Sequence, residues 1–314
     1  MHRTLSAAGA FWLAAFTYFI WGFTFLASRI AQDYGTPFVL LFWRFALAFV
    51  LLNLLRLTGR FPVRLRGRKL WPVLLAGLFE PVLYFPCEQY GLKLTSTSFS
   101  GVMVALIPLC SLVYGAVFLH EKATWRQVVF SVLSVAGVIV LAVYATGIGA
   151  GSFLGFLILL GTVFAGAGYI VASRACSGSF TAFERTYITC GMGAAAFGVL
   201  SVLEHRHDLS AVVLPMTHAP FALAIVFLSV VASVLSYLAL NRALEVLPVA
   251  RTAALINFST VVSVLAGVLL LHEPFGWVSA AASAAILVGI WGVQRFAAPA
   301  VPDADKRTEP LPPS

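Results

Sequence analysis

Two carboxyls and a phenol lie at four-residue intervals in the apolar stretch 70–92, at Glu80, Tyr84 and Glu88. This spacing places all three side chains on one face of a helix. Pro81 and Pro86 interrupt the backbone hydrogen bonding, and the freed carbonyl groups need partners in protein or in a water-lined cavity. The pattern predicts a site for a cationic group or for a transported proton. In the structural alternative, Glu80 bonds a neighbouring helix and Glu88 meets water at the membrane boundary.

Arg44 is the other charged residue inside an apolar run. It can bind a substrate carboxylate, pair with a glutamate or extend its side chain towards the membrane surface. We favour structural pairing, and we keep Arg44 among the candidate site residues.

Polar and aromatic residues near the middle of other apolar runs extend this candidate cavity lining. They are Trp21, Thr24, Tyr169, Ser233, Tyr237, Asn257 and Ser259. An amide in lipid requires a hydrogen-bonding partner on another helix or on a ligand, which singles out Asn257. For each aromatic residue taken alone, ordinary helix packing is the alternative.

Motifs of other chemistries are missing from the sequence. His120-Glu121 is followed by Lys-Ala-Thr, so it is not a zinc-protease HExxH motif, and neither a Gly-x-Ser-x-Gly motif nor a P-loop occurs. The four cysteines are scattered without metal-ligand spacing. We therefore expect no enzyme activity, no metal and no cofactor.

The composition indicates which elements must position these residues. Hydrophobic residues make up 61% of the 314 residues and charged residues 10%, with a mean hydropathy of +0.96. Because soluble domains carry about 25% charged residues, this chain requires a lipid bilayer as its main solvent. We see no separate basic module and expect no nucleic-acid partner.

Hydropathy predicts an all-α membrane protein with ten transmembrane helices, since about 20 apolar residues are needed to cross the bilayer. The predicted spans are 9–31, 37–56, 71–92, 99–119, 125–145, 152–173, 180–203, 219–241, 252–271 and 276–295. The first run is too long for a cleaved signal peptide and is expected to remain as a span. The proline- and charge-rich tail, 297–314, is predicted to be disordered.

Basic residues predict the orientation. With the N-terminus in the cytoplasm, sixteen lysines and arginines fall on the inner side and three, Arg29, Lys93 and Arg206, on the outer side. This asymmetry satisfies the positive-inside rule. We expect a multi-pass protein of the cell inner (plasma) membrane with both termini in the cytoplasm.

An internal repeat relates the two halves of the chain. At an offset of 152 residues, FLHEKATW (118–125) aligns with LLHEPFGW (270–277), and Ser111, Gly115, Ser131 and Gly137 also find identical partners. Five helices in each half require the second half to be inverted in the membrane, an architecture found in secondary transporters. The predicted repeats are 9–145 and 152–296. Because the second repeat has Ala232 and Leu240 opposite Glu80 and Glu88, a charged site would be asymmetric.

The duplicated Leu-His-Glu motifs close the fourth helix of each half. Inversion puts His120-Glu121 and His272-Glu273 on opposite membrane faces, so they cannot form one metal or catalytic site. We interpret them as helix ends at the water boundary, with the following Trp anchored at the headgroups. A gating contact is the alternative.

Taken together, these features resemble the drug/metabolite transporter superfamily, within it the proteins with two EamA-type domains. The resemblance covers about 10–296. It rests on IWG (20–22), Pro37 with Arg44, YGLKLTSTSFSGVMVALIPL (90–109) and RALEVLPVARTAALINFSTVVSVLAGVLLLHE (242–273). It implies a ten-helix bundle with a central cavity that moves small metabolites, often amino acids, by alternating access.

The sequence thus predicts a secondary transporter of small metabolites, amino acids or related amines and acids first, working as an exporter with protons as the candidate coupling ion. A non-transporting membrane assembly or signalling subunit is the alternative. The expected partners are a small-molecule substrate, the lipid bilayer and protons. A homodimer within the bilayer is compatible with the sequence.

Overall fold

The computed structural model of this chain describes residues 5–94, 103–104, 106–146, 153–259, 261–262 and 276–296. These residues are predominantly helical, and no β-strand occurs among them. The predicted tail 297–314 and the second Leu-His-Glu motif lie outside the described residues.

Ten membrane helices follow one another along the described chain. They are α1 (Ala7–Gln32), α2 (Pro37–Leu57), α3 (71–94), α4 (Ile107–Phe118), α5 (Trp125–Thr146), α6 (Phe153–Ala175), α7 (Ala182–Glu204), α8 (Ala219–Ala243), α9 (249–259 and 261–262) and α10 (Trp277–Arg295). Within the described residues, five of these helices, α1, α2, α6, α7 and α8, are individually long and apolar enough to cross a bilayer.

The predicted spans agree closely with these helices. Eight of the ten match within two residues at both ends; the exceptions are α4 and α9, which are each described in part. Local signals explain several boundaries. Pro37 occupies the first turn of α2, and Thr181 caps α7 with the reciprocal Glu184 bond of a capping box. The prediction of an all-α, ten-helix membrane protein is confirmed.

The ends of the helices define two faces of the bundle. We call the face where α1 begins the N-terminal face and the face where α1 ends the distal face. Contacts between loops confirm the alternation: Thr36, after α1, donates to Glu204 at the end of α7 (2.7 Å), and Arg68, before α3, pairs with Glu184 at the start of α7 (3.0 Å). The first pair is on the distal face and the second on the N-terminal face.

Helix packing follows the inverted repeat. The helix α1 packs on α8, and its counterpart in the second repeat, α6, packs on α3, the counterpart of α8. Two further extensive contacts, α2 with α7 and α5 with α10, join a helix to its own counterpart. The two five-helix repeats therefore interlock, and each contributes helices to the centre of the bundle.

The α5–α10 contact depends on a duplicated glycine. A Cβ built at Gly289 would lie 2.7 Å from the carbonyl oxygen of Phe130, and one at Gly137 would lie 2.9 Å from that of Ala282. Both distances are shorter than a carbon–oxygen contact allows. Glycine at these two equivalent positions thus lets the two backbones touch.

Small residues also bring α6 and α7 close to the middle of α3. A Cβ at Gly168 would lie 2.8 Å from the ring of Phe79, and one at Gly193 would lie 2.7 Å from Pro81. These glycines belong to the stretches GTVFAGAG (161–168) and GMGAAAFG (191–198), which function here as packing faces. They hold the chemically distinctive part of α3 at the bundle centre.

Candidate functional site

A buried cavity of about 80 Å³ lies at the centre of the bundle. We call it the central cavity. Its lining consists of Tyr18, Trp21, Thr24, Ser28, Arg44, Glu80, Tyr84, Phe85, Glu88, Gln89, Val104, Ile107, Gly166, Tyr169, Ile170, Leu240, Ile256 and Ser259. Helices of both repeats contribute. The volume is enough for about five to eight water molecules or one small solute.

The helix α3 is broken at the residue that carries its first carboxyl. Glu80 has an extended backbone (φ −144°, ψ 117°), and the turns at Leu78–Leu83 are wider than those of an α-helix. The counterpart of α3, α8, has wide turns of the same kind at Phe227–Leu235. Such turns release backbone carbonyl groups and recur at functional sites. Both repeats therefore depart from helical geometry at the level of the cavity.

Side chains of α1 take up the released groups of α8. The indole Nε1 of Trp21 donates to the carbonyl oxygen of Ala232 (2.9 Å), and the Thr17 hydroxyl donates to that of Ser236 (3.0 Å). Trp21 thus has a structural bond on one edge while its ring lines the cavity. This double role fits the amphipathic character of tryptophan.

Glu80 is held by a phenol from the opposite repeat. The hydroxyl of Tyr237 donates to Glu80 Oε1 at 2.5 Å, across 157 positions of sequence. Glu80 is 6% exposed, and the Tyr237 ring packs edge-on against Trp21 and Tyr169. The carboxyl is therefore both hydrogen-bonded to a neighbouring helix and in contact with the cavity.

Glu88 has a more local set of partners. Tyr84 donates its hydroxyl to Glu88 Oε1 (3.2 Å), and Gln89 donates its amide to Glu88 Oε2 (3.3 Å). Glu88 is 7% exposed and lines the central cavity. The predicted stripe of Glu80, Tyr84 and Glu88 thus faces one cavity, although the helix that carries it is broken.

Arg44 reaches the cavity without a carboxylate partner among the described residues. Its Nε donates to the Ser233 hydroxyl at 2.9 Å, and its guanidinium lies over the rings of Phe85 (4.6 Å) and Phe45 (5.4 Å). Arg44 is 4% exposed, so it does not extend to the membrane surface. Cation–π contacts and one hydrogen bond hold it in place.

The structure brings most of the candidate residues together. Eight of them line the central cavity: Trp21, Thr24, Arg44, Glu80, Tyr84, Glu88, Tyr169 and Ser259. Ser233 and Tyr237 lie behind the wall and bond Arg44 and Glu80. Asn257 lies elsewhere, because its amide donates to Ser134 of α5 (2.9 Å) in the contact between α9 and α5.

Several lining residues were missed by sequence reasoning. Gln89 could have been found as an uncharged amide beside Glu88, deep in an apolar helix. The aliphatic wall of Val104, Ile107, Ile170 and Ile256 has no such signal, since identical side chains cover the lipid-facing surface of the same helices.

The first Leu-His-Glu motif lies on the N-terminal face and joins the two repeats. α4 ends at Phe118, and His120 has a left-handed backbone (φ 54°). Glu121 accepts a hydrogen bond from the backbone N–H of Val249 (2.9 Å) and lies 3.7 Å from Arg174 Nε. Burial raises the pKa of Glu121, and the Val249 N–H and Arg174 partly oppose that shift. The predicted helix end is confirmed, and its carboxyl also ties α4 to α6 and α9.

A second buried cluster reinforces the same face. Arg185, 1% exposed, donates to Ser173 (2.8 Å to the carbonyl oxygen) and to Glu245 Oε1 (3.1 Å). Its second terminal nitrogen also donates to the Asn241 carbonyl oxygen (2.5 Å), and the Asn241 amide donates to Thr186 (3.0 Å). These bonds fasten α6, α7 and α8 to one another between the central cavity and the N-terminal face.

Comparison with known proteins identifies the family. The model of the EamA-like transporter family matches residues 8–143 and matches again over residues 153–295. The chain belongs to the EamA-like transporter family. The two matches correspond to the two halves found by the internal repeat.

Named relatives of this EamA-like transporter agree with the assignment. An uncharacterized transporter of Bacillus subtilis (strain 168), YcxC, is 32% identical over 285 residues, which cover 90% of this chain and 91% of the relative. An uncharacterized transporter of Archaeoglobus fulgidus is 27% identical over 284 residues, 90% of this chain and 97% of the relative. A solved structure, named only "Crystal structure of protein", superposes with a TM-score of 0.79 at 20% identity and covers 93% of this chain and 98% of its own. That last likeness shows the fold.

The family makes this protein a multi-pass membrane transporter that is surrounded by the lipid bilayer and acts on a small molecule. The central cavity is the place in the described structure where charged side chains from the membrane interior meet. It is therefore the candidate substrate site of this EamA-like transporter.

Proposed function

We propose that this EamA-like transporter is a secondary transporter that exports small zwitterionic metabolites, amino acids first, through the central cavity. The observation that carries the proposal is the charge arrangement: one arginine and two glutamates line a single buried cavity at the junction of the two repeats. Ionisable groups inside a membrane are costly and mark substrate or ion pathways.

Arg44 suits the carboxylate of such a substrate. Its Nε is occupied by Ser233, and among the described residues no carboxylate lies within ion-pair distance of the guanidinium. The two terminal nitrogens form the fork that binds a carboxylate through two parallel hydrogen bonds. The substrate carboxylate would then supply the negative charge that pairs with Arg44.

Glu88 suits the ammonium group. Its carboxyl reaches the same cavity on α3, and Tyr84 and Gln89 fix its orientation. Opposite charges at the two sites would align a zwitterion, and the aliphatic residues Ile107, Ile170 and Ile256 would contact an apolar substituent.

Glu80 is our candidate proton carrier. It contacts the cavity and accepts a hydrogen bond from Tyr237 of the other repeat, so its protonation changes a contact between the repeats. The sequence contains no P-loop, and coupling to an ion gradient or exchange is the remaining energy source. Inverted repeats allow alternating access, because each repeat can adopt the arrangement of the other.

We further propose that the N-terminal face is cytoplasmic, with both termini inside the cell and the protein in its inner membrane. The support is the distribution of basic residues predicted from the sequence, sixteen on the side of this face and three on the distal side.

A substrate screen on proteoliposomes tests the proposal. Purified protein is reconstituted, and flux of radiolabelled amino acids, their decarboxylated amines and their deaminated acids is measured against empty liposomes. We expect saturable flux of at least one zwitterion and weaker flux of both truncated analogues. If no solute of the three classes moves, the alternative of a non-transporting assembly subunit replaces the proposal.

The Glu80→Gln substitution tests the coupling. Flux of the best substrate is measured under imposed pH gradients for this variant and for Glu204→Gln, a change on the distal surface. We expect Glu80→Gln to abolish the response of flux to the gradient, since the amide cannot carry a proton, while Glu204→Gln keeps it. An unchanged pH response in Glu80→Gln removes Glu80 from this role.

A further inference from the structure

A second cavity lies on the distal face, between the α1–α2 loop and the segment that joins α7 to α8. Its volume is about 540 Å³, and its polar lining comprises Gln32, Tyr34, Thr36, His205 and His218. We call it the distal cavity. It is several times larger than the central cavity and lies at the helix ends rather than in the bundle core.

A pair of glutamines separates the two cavities. Gln32 lines the distal cavity and Gln89 lines the central cavity, and the Gln32 amide donates to Gln89 Oε1. The Gln89 amide donates in turn to Glu88 Oε2 at 3.3 Å. On α1, Ser28 lies one helical turn before Gln32 and already faces the central cavity. A polar path therefore runs from Glu88 through both amides to the distal cavity.

We propose that the Gln32–Gln89 pair is the distal gate of the central cavity and that the distal cavity is the vestibule on which this gate opens. The inference rests on the proposed transport function and adds the route to it. Substrate passes between the two amides when their hydrogen bond opens.

An amide pair has the chemistry that a gate on this route needs. Each amide offers two donors and an acceptor, so either can bind water or the polar groups of a passing solute once the pair separates. Both are neutral, and opening the pair leaves no unpaired charge in the membrane interior. The net contribution of such a bond is small, because water replaces it.

The closure on the N-terminal face is stronger. There Glu121 pairs with Arg174 and accepts the Val249 N–H, and Arg174 donates to the Leu244 carbonyl oxygen at 2.7 Å. The buried Arg185 cluster adds further bonds between α6, α7 and α8 near the same face. Opening this face means breaking several charge-assisted bonds together, whereas the described contact between the two cavities is one neutral amide pair, and the Thr36–Glu204 bond lies beyond it at the helix ends of the distal face.

Cysteine labelling tests the gate without a known substrate. Ser28→Cys is placed in a full-length background in which Cys87, Cys110, Cys176 and Cys190 are replaced by alanine. A membrane-impermeant maleimide is then applied to sided vesicles, from each side separately, and the labelling rate is measured.

We expect slow labelling of Ser28→Cys with both glutamines present, and labelling about fivefold faster from the distal side alone when Gln32→Ala removes one partner. Gln89→Ala gives the same increase, and the double variant gives no more than either single one, because both remove the same bond. The matched control is Gln294→Ala, whose amide donates to the Arg251 carbonyl oxygen on the opposite face; it leaves the rate unchanged.

Two results overturn the proposal: a labelling rate that neither glutamine variant changes, or an equal increase with Gln294→Ala. If Gln32→Ala fails to fold, Gln32→Asn keeps the amide but is too short to reach Gln89, and it must accelerate labelling in the same way. Flux and labelling fail independently. A protein that moves no solute but shows the labelling pattern disproves the proposed function and keeps the gate, and normal flux with unresponsive labelling disproves the gate alone.

Discussion

At the scale of single residues, each charge in the membrane interior is stabilised differently. Glu80 takes a hydrogen bond from another repeat, Glu88 takes two from its own helix, and Arg44 lies on two aromatic rings. Arg44 lines the central cavity, and no carboxylate among the described residues lies within ion-pair distance of it. Under the proposed function, this buried cation would bind the carboxylate of the substrate.

Substitution of Arg44 should therefore affect carboxylate substrates selectively. For Arg44→Lys we expect the apparent affinity for a zwitterion to fall by about 10-fold, since lysine keeps the charge but loses one of the two parallel hydrogen bonds to the carboxylate, a loss of about 1.5 kcal/mol. Flux of an amine that lacks the carboxylate should not change. Concentration-dependent uptake into proteoliposomes measures both, with Arg206→Lys, on the distal surface, as the control. Equal losses for amine and zwitterion would show that Arg44 is structural.

At the scale of elements, the departures from regular helix are as informative as the helices. The wide turns of α3 and α8 lie at equivalent positions of the two repeats, and Tyr237 and Trp21 donate hydrogen bonds to Glu80 and to the Ala232 carbonyl oxygen within them. In contrast, α5 and α10 are continuous helices that pack backbone to backbone. The chain thus separates a rigid pair of helices from a pair whose geometry leaves polar groups available.

The rigid pair should not tolerate a methyl group at its contact. Gly289→Ala should lower the free energy of unfolding by about 1–3 kcal/mol, because the new Cβ would lie 2.7 Å from the Phe130 carbonyl oxygen and the helices would have to separate. Gly178→Ala is the matched control, since a Cβ there meets nothing within 4 Å. Denaturant titration in detergent, followed by tryptophan fluorescence, measures the difference. Equal stability of the two variants would contradict the close contact.

Closure of the N-terminal face through Glu121 should depend on pH. Burial raises its pKa, so the proton binds the closed arrangement more tightly than an open one in which the carboxyl returns to water. Acid therefore favours closure of the N-terminal face, and this preference is lost as the pH rises through the raised pKa. Arg174 opposes the effect without reversing it, and His120 adjoins the carboxyl in sequence.

Labelling of Val249→Cys by a membrane-impermeant maleimide across a pH series measures this closure. Rates are normalised to a cysteine at the exposed Gly178, which corrects for the ionisation of the thiol. We expect the normalised rate to rise with pH and the rise to disappear in Glu121→Gln. A rise that survives this substitution would assign the pH response to another group.

At the scale of the whole molecule, two interlocked inverted repeats surround one asymmetric site. The packing of α1 on α8 and of α6 on α3 is symmetric. In the sequence alignment of the two repeats, however, Glu80 and Glu88 correspond to Ala232 and Leu240. The scaffold thus retains its duplication, whereas the charges of the site belong to one copy. Under the proposed transport by alternating access, the pseudo-two-fold axis of the repeats would relate the two conformations, and an asymmetric site would bind substrate and proton differently in each.

The proposed orientation of the protein in the membrane is a property of the whole molecule, and reporter fusions test it. Reporter fusions after Arg60 and after Arg295 should both be cytoplasmic, whereas a fusion after Arg206 should lie outside the cell, because the basic residues concentrate on the N-terminal face. A periplasmic phosphatase and a cytoplasmic fluorescent protein as paired reporters distinguish the two sides. Opposite signals from the fusions after Arg60 and after Arg295 would disprove the ten-span topology.

The sequence by itself determined the membrane class, the spans and the inverted duplication. These properties can be read from local sequence patterns, because the length of an apolar run is matched to the bilayer and a repeat is visible at a fixed offset. It also identified the carboxyl stripe of α3, since charged residues stand out in an apolar background.

Only the tertiary structure decided which polar residues meet. Tyr237 donates a hydrogen bond to Glu80 across 157 positions of sequence, and Arg44 donates one to Ser233 across 189. Asn257 instead donates to Ser134, away from the central cavity. Hydropathy carries no information on which side of a wholly apolar helix faces its neighbours, because lipid and protein interior are equally apolar. Which side of a helix faces its neighbours depends on close helix contacts such as those at Gly168 and Gly193. With the helices packed in this way, Glu80, Glu88 and Arg44 lie around one cavity.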